Sequence, residues 1–198
     1  MTYEYTDEMI SYIDKQLIAR YSRLKSLASF DEINVLNEIN EMYHEISAIV
    51  KKTFLLLANR VYSETRREKS LKSLDDEWVD NLLDGYNPVS KYVFAHEIDR
   101  KCARLIEAVI ASDSKAQEID TAMRAMSFMC RMYADIITDE AVMQAYNDDG
   151  ESFIRWVAEK DEKTCSTCKR RDGQIYEIDL VPTDPHPNCR CRRERMQE

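Results

Sequence analysis

Cysteines and a histidine crowd the end of this chain in a spacing that can bind a metal ion. Cys165-Ser166-Thr167-Cys168 is followed, after 17 residues, by His186-Pro187-Asn188-Cys189-Arg190-Cys191. Four of the six cysteines and one of the three histidines therefore fall between 165 and 191. A CxxC knuckle holds two thiolates near enough to share one ion, and the HxxCxC run can supply the rest of a tetrahedral N/S shell, the arrangement that structural zinc prefers. Cys165 and Cys168 are the first two expected ligands. His186, Cys189 and Cys191 compete for the other two places. Short spacing makes Cys189 and Cys191 hard to use together with His186, so the expected set is Cys165, Cys168, His186 and one of the last two, Cys191 preferred. Four protein ligands leave no position for water, which makes the expected zinc structural and not catalytic.

The other thiols and histidines carry less chemistry. Cys102 and Cys130 lie on apolar helical stripes and read as ordinary buried thiols. His44 reads as an exposed side chain, and His96, near Tyr92 and Val93, as a core histidine. There is no Gly-rich phosphate loop and no GxSxG elbow, so no catalytic residue is assigned and the chain is expected not to be an enzyme.

A metal module of this size needs a scaffold. The chain has 198 residues, 44% hydrophobic and 33% charged, with only Gly 3 and Pro 4. So few breakers favour long helices. No apolar run approaches the roughly 20 residues that span a bilayer. The N-terminus lacks a signal-peptide pattern, so synthesis in a reducing cytoplasm is expected. Metal ligation then outranks disulfides, which stay the alternative in oxidising surroundings.

Residues 7–28 predict a helix with Thr6 as N-cap. A second helix over 32–66, capped by Asp31, carries a heptad-like seam interrupted at Thr53. The two make an antiparallel pair turning near Ser29–Asp31. The charged stretch 64–76 reads as a frayed end or linker. A short helix follows, capped by Asp75 or Asp76 and closed by Gly85. Asn87-Pro88 then starts a helix running to Ile110, with Glu97 and Lys101 as a surface i,i+4 pair. Ser114 with Gln117 opens a further helix by a capping box. Thr138 opens one more, ended by Gly150.

Beyond Gly150 the pattern changes. Residues 152–158 read as a strand, and Asp172-Gly173 as a tight turn into a second. The expected fold is mainly α: a helical body over 1–150 (a long pair over 1–70, a helical core over 75–150), then a small β-rich metal-stapled module over 151–198.

The net charge of −9 lies wholly in the body, because residues 151–198 hold ten Lys/Arg and ten Asp/Glu. An acidic body argues against wrapping duplex DNA. The module still offers Lys169, Arg170, Arg171, Arg190, Arg192 and Arg193 as candidate contacts to phosphate or an acidic partner.

Trp156, the run Asp161–Cys165, Cys168, Arg171-Asp172-Gly173, Ile175-Tyr176, Val181-Pro182 and Pro185–Cys191 closely resemble the C-terminal domain of the phage Mu F-like minor head proteins, or phage head morphogenesis proteins. The similarity reaches back through Asn87-Pro88, Arg104–Glu107 and Ala134-Asp135, over roughly 80–192. It implies a structural minor capsid protein in the head of a tailed phage or prophage virion, made in the host cytoplasm. Head assembly, the portal vertex or DNA delivery would be its place of action. Its implied partners are the portal or major capsid protein and packaged DNA, with no membrane and an oligomeric setting in the particle. Residues 1–80 carry no family-specific match. The alternative is a zinc-stabilised nucleic-acid-binding regulator.

Overall fold

A computed structural model describes residues 2–28, 32–67, 72–84, 94–182 and 189–196. Among these, five helices build the body: α1 (Thr2–Leu27), α2 (Glu32–Thr65), α3 (Asp76–Asp84), α4 (Phe94–Ala111) and α5 (Lys115–Asp148). The module follows with β1 (Phe153–Val157), α6 (Ser166–Arg171), β2 (Ile175–Glu177), a 3-10 turn (Ile178–Leu180) and β3 (Arg192–Arg195). The mainly α architecture with a small β-containing end is the expected one.

Helical spacing explains the core. Ile10, Ile13, Leu17, Tyr21 and Leu24 line one side of α1, and all are buried. Val35, Ile39, Tyr43, Ile46, Val50, Leu57 and Val61 do the same along α2. The two helices run antiparallel: Arg23 pairs with Glu38, Arg20 with Glu45, and Arg60 with Glu8. α5 packs along both, and α3 and α4 cover α2. One apolar cluster extends from Ile10 to Ala145 and joins all five helices. At its centre the Phe94 ring meets Tyr133 edge-on at 5.1 Å and Phe54 at 6.2 Å.

Two expected helix starts are corrected by a single contact. Thr6 is not an N-cap but lies inside α1, and Thr138 does not open a new helix but lies inside α5. Both are buried, and their hydroxyls hydrogen-bond each other at 2.8 Å. Thr53, read as a break in the α2 seam, is also buried and donates to the Ile49 carbonyl one turn back. Ser114 precedes α5, but its side chain makes no cap bond.

α5 runs 34 residues to Asp148 and is closed off by Gly150, as the glycine implied. Gly150 has φ +77°. Its N–H reaches the Asn147 carbonyl and that of Glu151 reaches Tyr146, which is a Schellman closure.

The charged stretch after α2 is ordered where it is described. Asn59 holds the Leu74 backbone by two bonds, through its amide N–H and its carbonyl oxygen. Asp75 caps α3 by accepting from the Trp78 N–H. His44 is exposed, as expected. His96 is exposed, not a core histidine, because the buried side of this turn is taken by Phe94, Glu97 and Ile98. Glu97 turns inward and pairs with Arg100 at 2.7 Å in place of the expected surface pair with Lys101. The turn near 29–31, the Asp31 cap, Gly85 and Asn87-Pro88 lie outside the described residues.

Candidate metal centre

β1 is the middle of a three-stranded antiparallel sheet, between β2 and β3. Its alternation sends Ile154 and Trp156 inward. The Asp172-Gly173 turn ties α6 back to this strand. Gly173, at φ +76°, donates to the Trp156 carbonyl, and the Trp156 N–H donates to Gln174. The Asp172 carboxylate accepts from the Ala158 N–H, which holds its pKa below the usual range. Trp156 lies between two guanidinium groups, Arg171 and Arg193, each 4.8 Å from its ring.

Around Trp156 the module's own core is small: Trp156, Ala158, Cys168, Cys189 and Cys191. Cys165 sits at the N-cap of α6, where its sulfur accepts the Cys168 N–H at 3.3 Å. The helix then points Cys168 inward. The Cys168 and Cys189 sulfurs stand 3.6 Å apart, and those of Cys168, Cys189 and Cys191 all lie within 4.8 Å of one another. Cys165 lines the same small cleft as these three, as do Lys163 and Arg190. Burial, with the neighbouring Cys191 and Cys165 thiols, pushes the Cys168 thiol up to about 12. Such a thiol is a poor nucleophile at neutral pH; a bound cation is what would favour its thiolate.

The spacing fits an ion. Four sulfurs placed tetrahedrally at about 2.3 Å from zinc lie about 3.7–3.8 Å from one another. At 3.6 Å the closest pair is far longer than an S–S bond of about 2.05 Å, and all six cysteines are free thiols. Cys189 and Cys191, between which the expected ligand set chose, are both buried in one cluster with Cys168. Arg190 between them turns outward, which lets both flanking thiols turn in. His186 lies outside the described residues.

A loop ahead of α6 is tied to the segment between Cys189 and Cys191. Arg190 pairs with Asp161 at 2.7 Å. Asp161 also accepts from the Lys163 N–H and the Thr164 hydroxyl. The Arg190 hydrogen bond, ahead of these, holds the Asp161 carboxyl at about 2.

The basic candidates part company. Lys169, Arg170 and Arg192 are exposed. Arg171 is half-buried against Trp156, and Arg190 is exposed but paired. Arg193 is corrected: it is buried and ion-paired with Asp139 of α5, so it faces the body and not an outside partner.

Sequence reasoning missed an ionic junction beside the module. Asp148, Asp149 and Glu151 gather at the C-terminal end of α5, which has no basic residue in its last turn. Carboxylates are unfavourable at that negative pole. Four cations from elsewhere offset them. Arg66 meets Asp149 at 2.5 Å, Lys72 meets Asp148 at 2.6 Å, Arg67 meets Glu151 at 2.8 Å, and Arg195 meets Asp149 at 2.5 Å. Tyr62 also hydrogen-bonds Asp148. Burial opposes ionisation of Asp148 and Asp149. The hydrogen bonds of Lys72, Tyr62 and Gln144 to Asp148, and of Arg67, Arg66 and Arg195 to Asp149, still hold both below the ordinary carboxylate range. The signal in the sequence was an acidic helix end with no local counter-charge.

Fold and site together define a helical body carrying a small sheet module, stapled where clustered buried thiols could hold a metal ion. Residues 98–194, just under half of the chain, match the family model described as Phage Mu protein F like protein, so this stretch is similar to that family. The match begins inside α4 and ends in β3, so it spans α5, the cysteines and all three strands, and leaves α1–α3 outside. No curated protein and no solved structure matches the chain. Among the described residues no helix is long and apolar enough to cross a membrane.

Proposed function

We propose that the protein is a structural minor head protein of a tailed phage or prophage, acting in head assembly, at the portal vertex or in DNA delivery. The observation that carries this reading is the Mu F-like match over 98–194. Its place is then the virion head, reached from the host cytoplasm during assembly. The portal or major capsid protein is its expected partner, with packaged DNA as a further contact, and it works there in several copies. Long helices supply extended docking faces, and the exposed Lys169, Arg170 and Arg192 supply charge. We assign it no enzymatic step.

Zinc is the ion this donor set favours, held by Cys165, Cys168, Cys189 and Cys191. Soft thiolates select zinc over hard cations, and four of them close the shell. A nucleic-acid-binding regulator gains less support, because Arg193 is buried and Arg190 is paired within the module.

The test is fractionation of heads and proheads from producing cells, nuclease treatment, and mass spectrometry. Low, fixed stoichiometry to the portal or coat protein is expected. Absence from both fractions would overturn the reading.

A further inference from the structure

We infer that the cysteine cluster and the ends of the two long helices form one cooperative unit, with β3 as the clasp between them. This inference rests on reading the cluster as a metal site.

The geometry lies along a few residues. β3 begins immediately after Cys191. Arg193 and Arg195 come two and four residues beyond that cysteine, so strand periodicity sends them to one face. Where Cys189 and Cys191 are held therefore decides where two guanidinium groups land. β1 fixes the register, setting Trp156 opposite Arg193 and Ile154 opposite Arg195.

Both groups land on the body. Arg193 ion-pairs with Asp139 in a buried setting, and its carbonyl accepts the Tyr146 hydroxyl at 3.2 Å. Arg195 stacks on the Tyr146 ring at 4.7 Å. It also bonds Asp149 and Glu151 past the end of α5 and the Thr65 carbonyl at the end of α2. One side chain thus ties together two helix C-termini, each a negative pole that favours a cation. It is the module's contribution to a junction otherwise held by Arg66, Arg67 and Lys72.

The coupling follows from what packs under the start of β3. Three of the five residues in the module's core are cysteines. With the sulfurs unbridged, the strand loses its anchor, and Arg193 and Arg195 lose their aim. Ion binding then shows itself as order at the ends of α2 and α5. Reciprocity requires the converse: loss of the Arg195 contacts weakens ion binding by the same factor.

The experiment uses the full chain with Zn²⁺ as ligand, its affinity read by competition with a chromophoric chelator. Amide hydrogen exchange is followed with and without chelation. Arg195→Met is expected to lower zinc affinity about tenfold. Arg195→Lys, which keeps the charge but not the fork, should fall between. The exposed α5 variant Arg124→Met should match wild type. Chelation should speed exchange about tenfold over 58–67 and 141–151, while the middle of α2 stays protected. Wild-type affinity in both Arg195 variants, with exchange at the helix ends unmoved by chelation, would overturn the clasp and leave the metal site standing. Failure of the wild type to bind zinc at all would overturn the metal reading, and the clasp with it.

Discussion

The body and the module solve the same problem with different means. The body closes five helices over leucine, isoleucine, tyrosine and phenylalanine in one continuous cluster. The module closes three short strands and one turn of helix over a tryptophan, an alanine and three cysteines. At about 25 cal/mol per Å² of buried apolar surface, the first core stabilises itself, while the second is too small to do so. The difference teaches where each is vulnerable: the body to the loss of a ring, the module to the loss of a cysteine or an ion pair.

The largest expected effect tests the body. Phe94→Ala removes a fully buried ring that Phe54 and Tyr133 both meet edge-on. It should destabilise the helical transition by about 3–5 kcal/mol, read by urea unfolding followed by circular dichroism. Chelation of the wild type should move that transition far less. Equal shifts would erase the distinction between the two regions.

Next comes the seam between them. Asp139→Ala leaves Arg193 buried without its carboxylate, at a cost of about 3 kcal/mol. The double variant Arg193→Met with Asp139→Leu should recover most of that loss, because an apolar pair removes the stranded charge. A double variant as unstable as the single one would show that Arg193 acts mainly through its stacking on Trp156.

These sites differ in how plainly the sequence announces them. The stripes of α1 and α2 are legible because 3.6-residue spacing is a local property. The meeting of Cys168 with Cys189 and Cys191 is legible in part because the last two are only two residues apart. Thr6 and Thr138 were misread because a hydroxyl that can cap a helix can equally bond another hydroxyl 132 positions away, and only packing decides. Arg193 was misread for the same reason: a cation in a basic run looks solvent-facing until its partner, Asp139, is placed beside it. Cys189 and Cys191 come together beside Cys168 because residues two apart in extended chain share a face.

Two glycines sharpen the comparison at smaller scale. Gly150 and Gly173 have nearly the same positive φ, +77° and +76°, and an added Cβ would meet nothing within 4 Å at either. Alanine at each should therefore lose about 1 kcal/mol to backbone strain alone. The readouts should separate. Gly150→Ala should lower the midpoint of the helical transition, because it loosens the Schellman closure of α5. Gly173→Ala should spare that transition and weaken zinc binding, because its turn aligns α6 with β1.

The smallest effect is a dependence on acid, and its sign is fixed. Asp148 and Asp149 at the junction, and Asp161 in the module, are held below ordinary carboxylate values when folded. In the unfolded chain they titrate near about 3.9. Groups with depressed folded pKa contribute stability that is complete above the unfolded value and lost as pH falls toward the folded one. For Asp161 that window runs from about 4 down to about 2. Solvent screens these pairs, so the loss is modest. Thiolate protonation would release zinc under acid as well, so the measurement belongs in chelator. There, Asp149→Asn should flatten the fall in thermal midpoint of the α2 and α5 ends below pH 4. Asp161→Asn should leave that fall unchanged, because its pair with Arg190 lies wholly within the module. An identical flattening by both would mean that junction and module respond to acid as one body even without the ion, and that β3 needs no staple to stay seated.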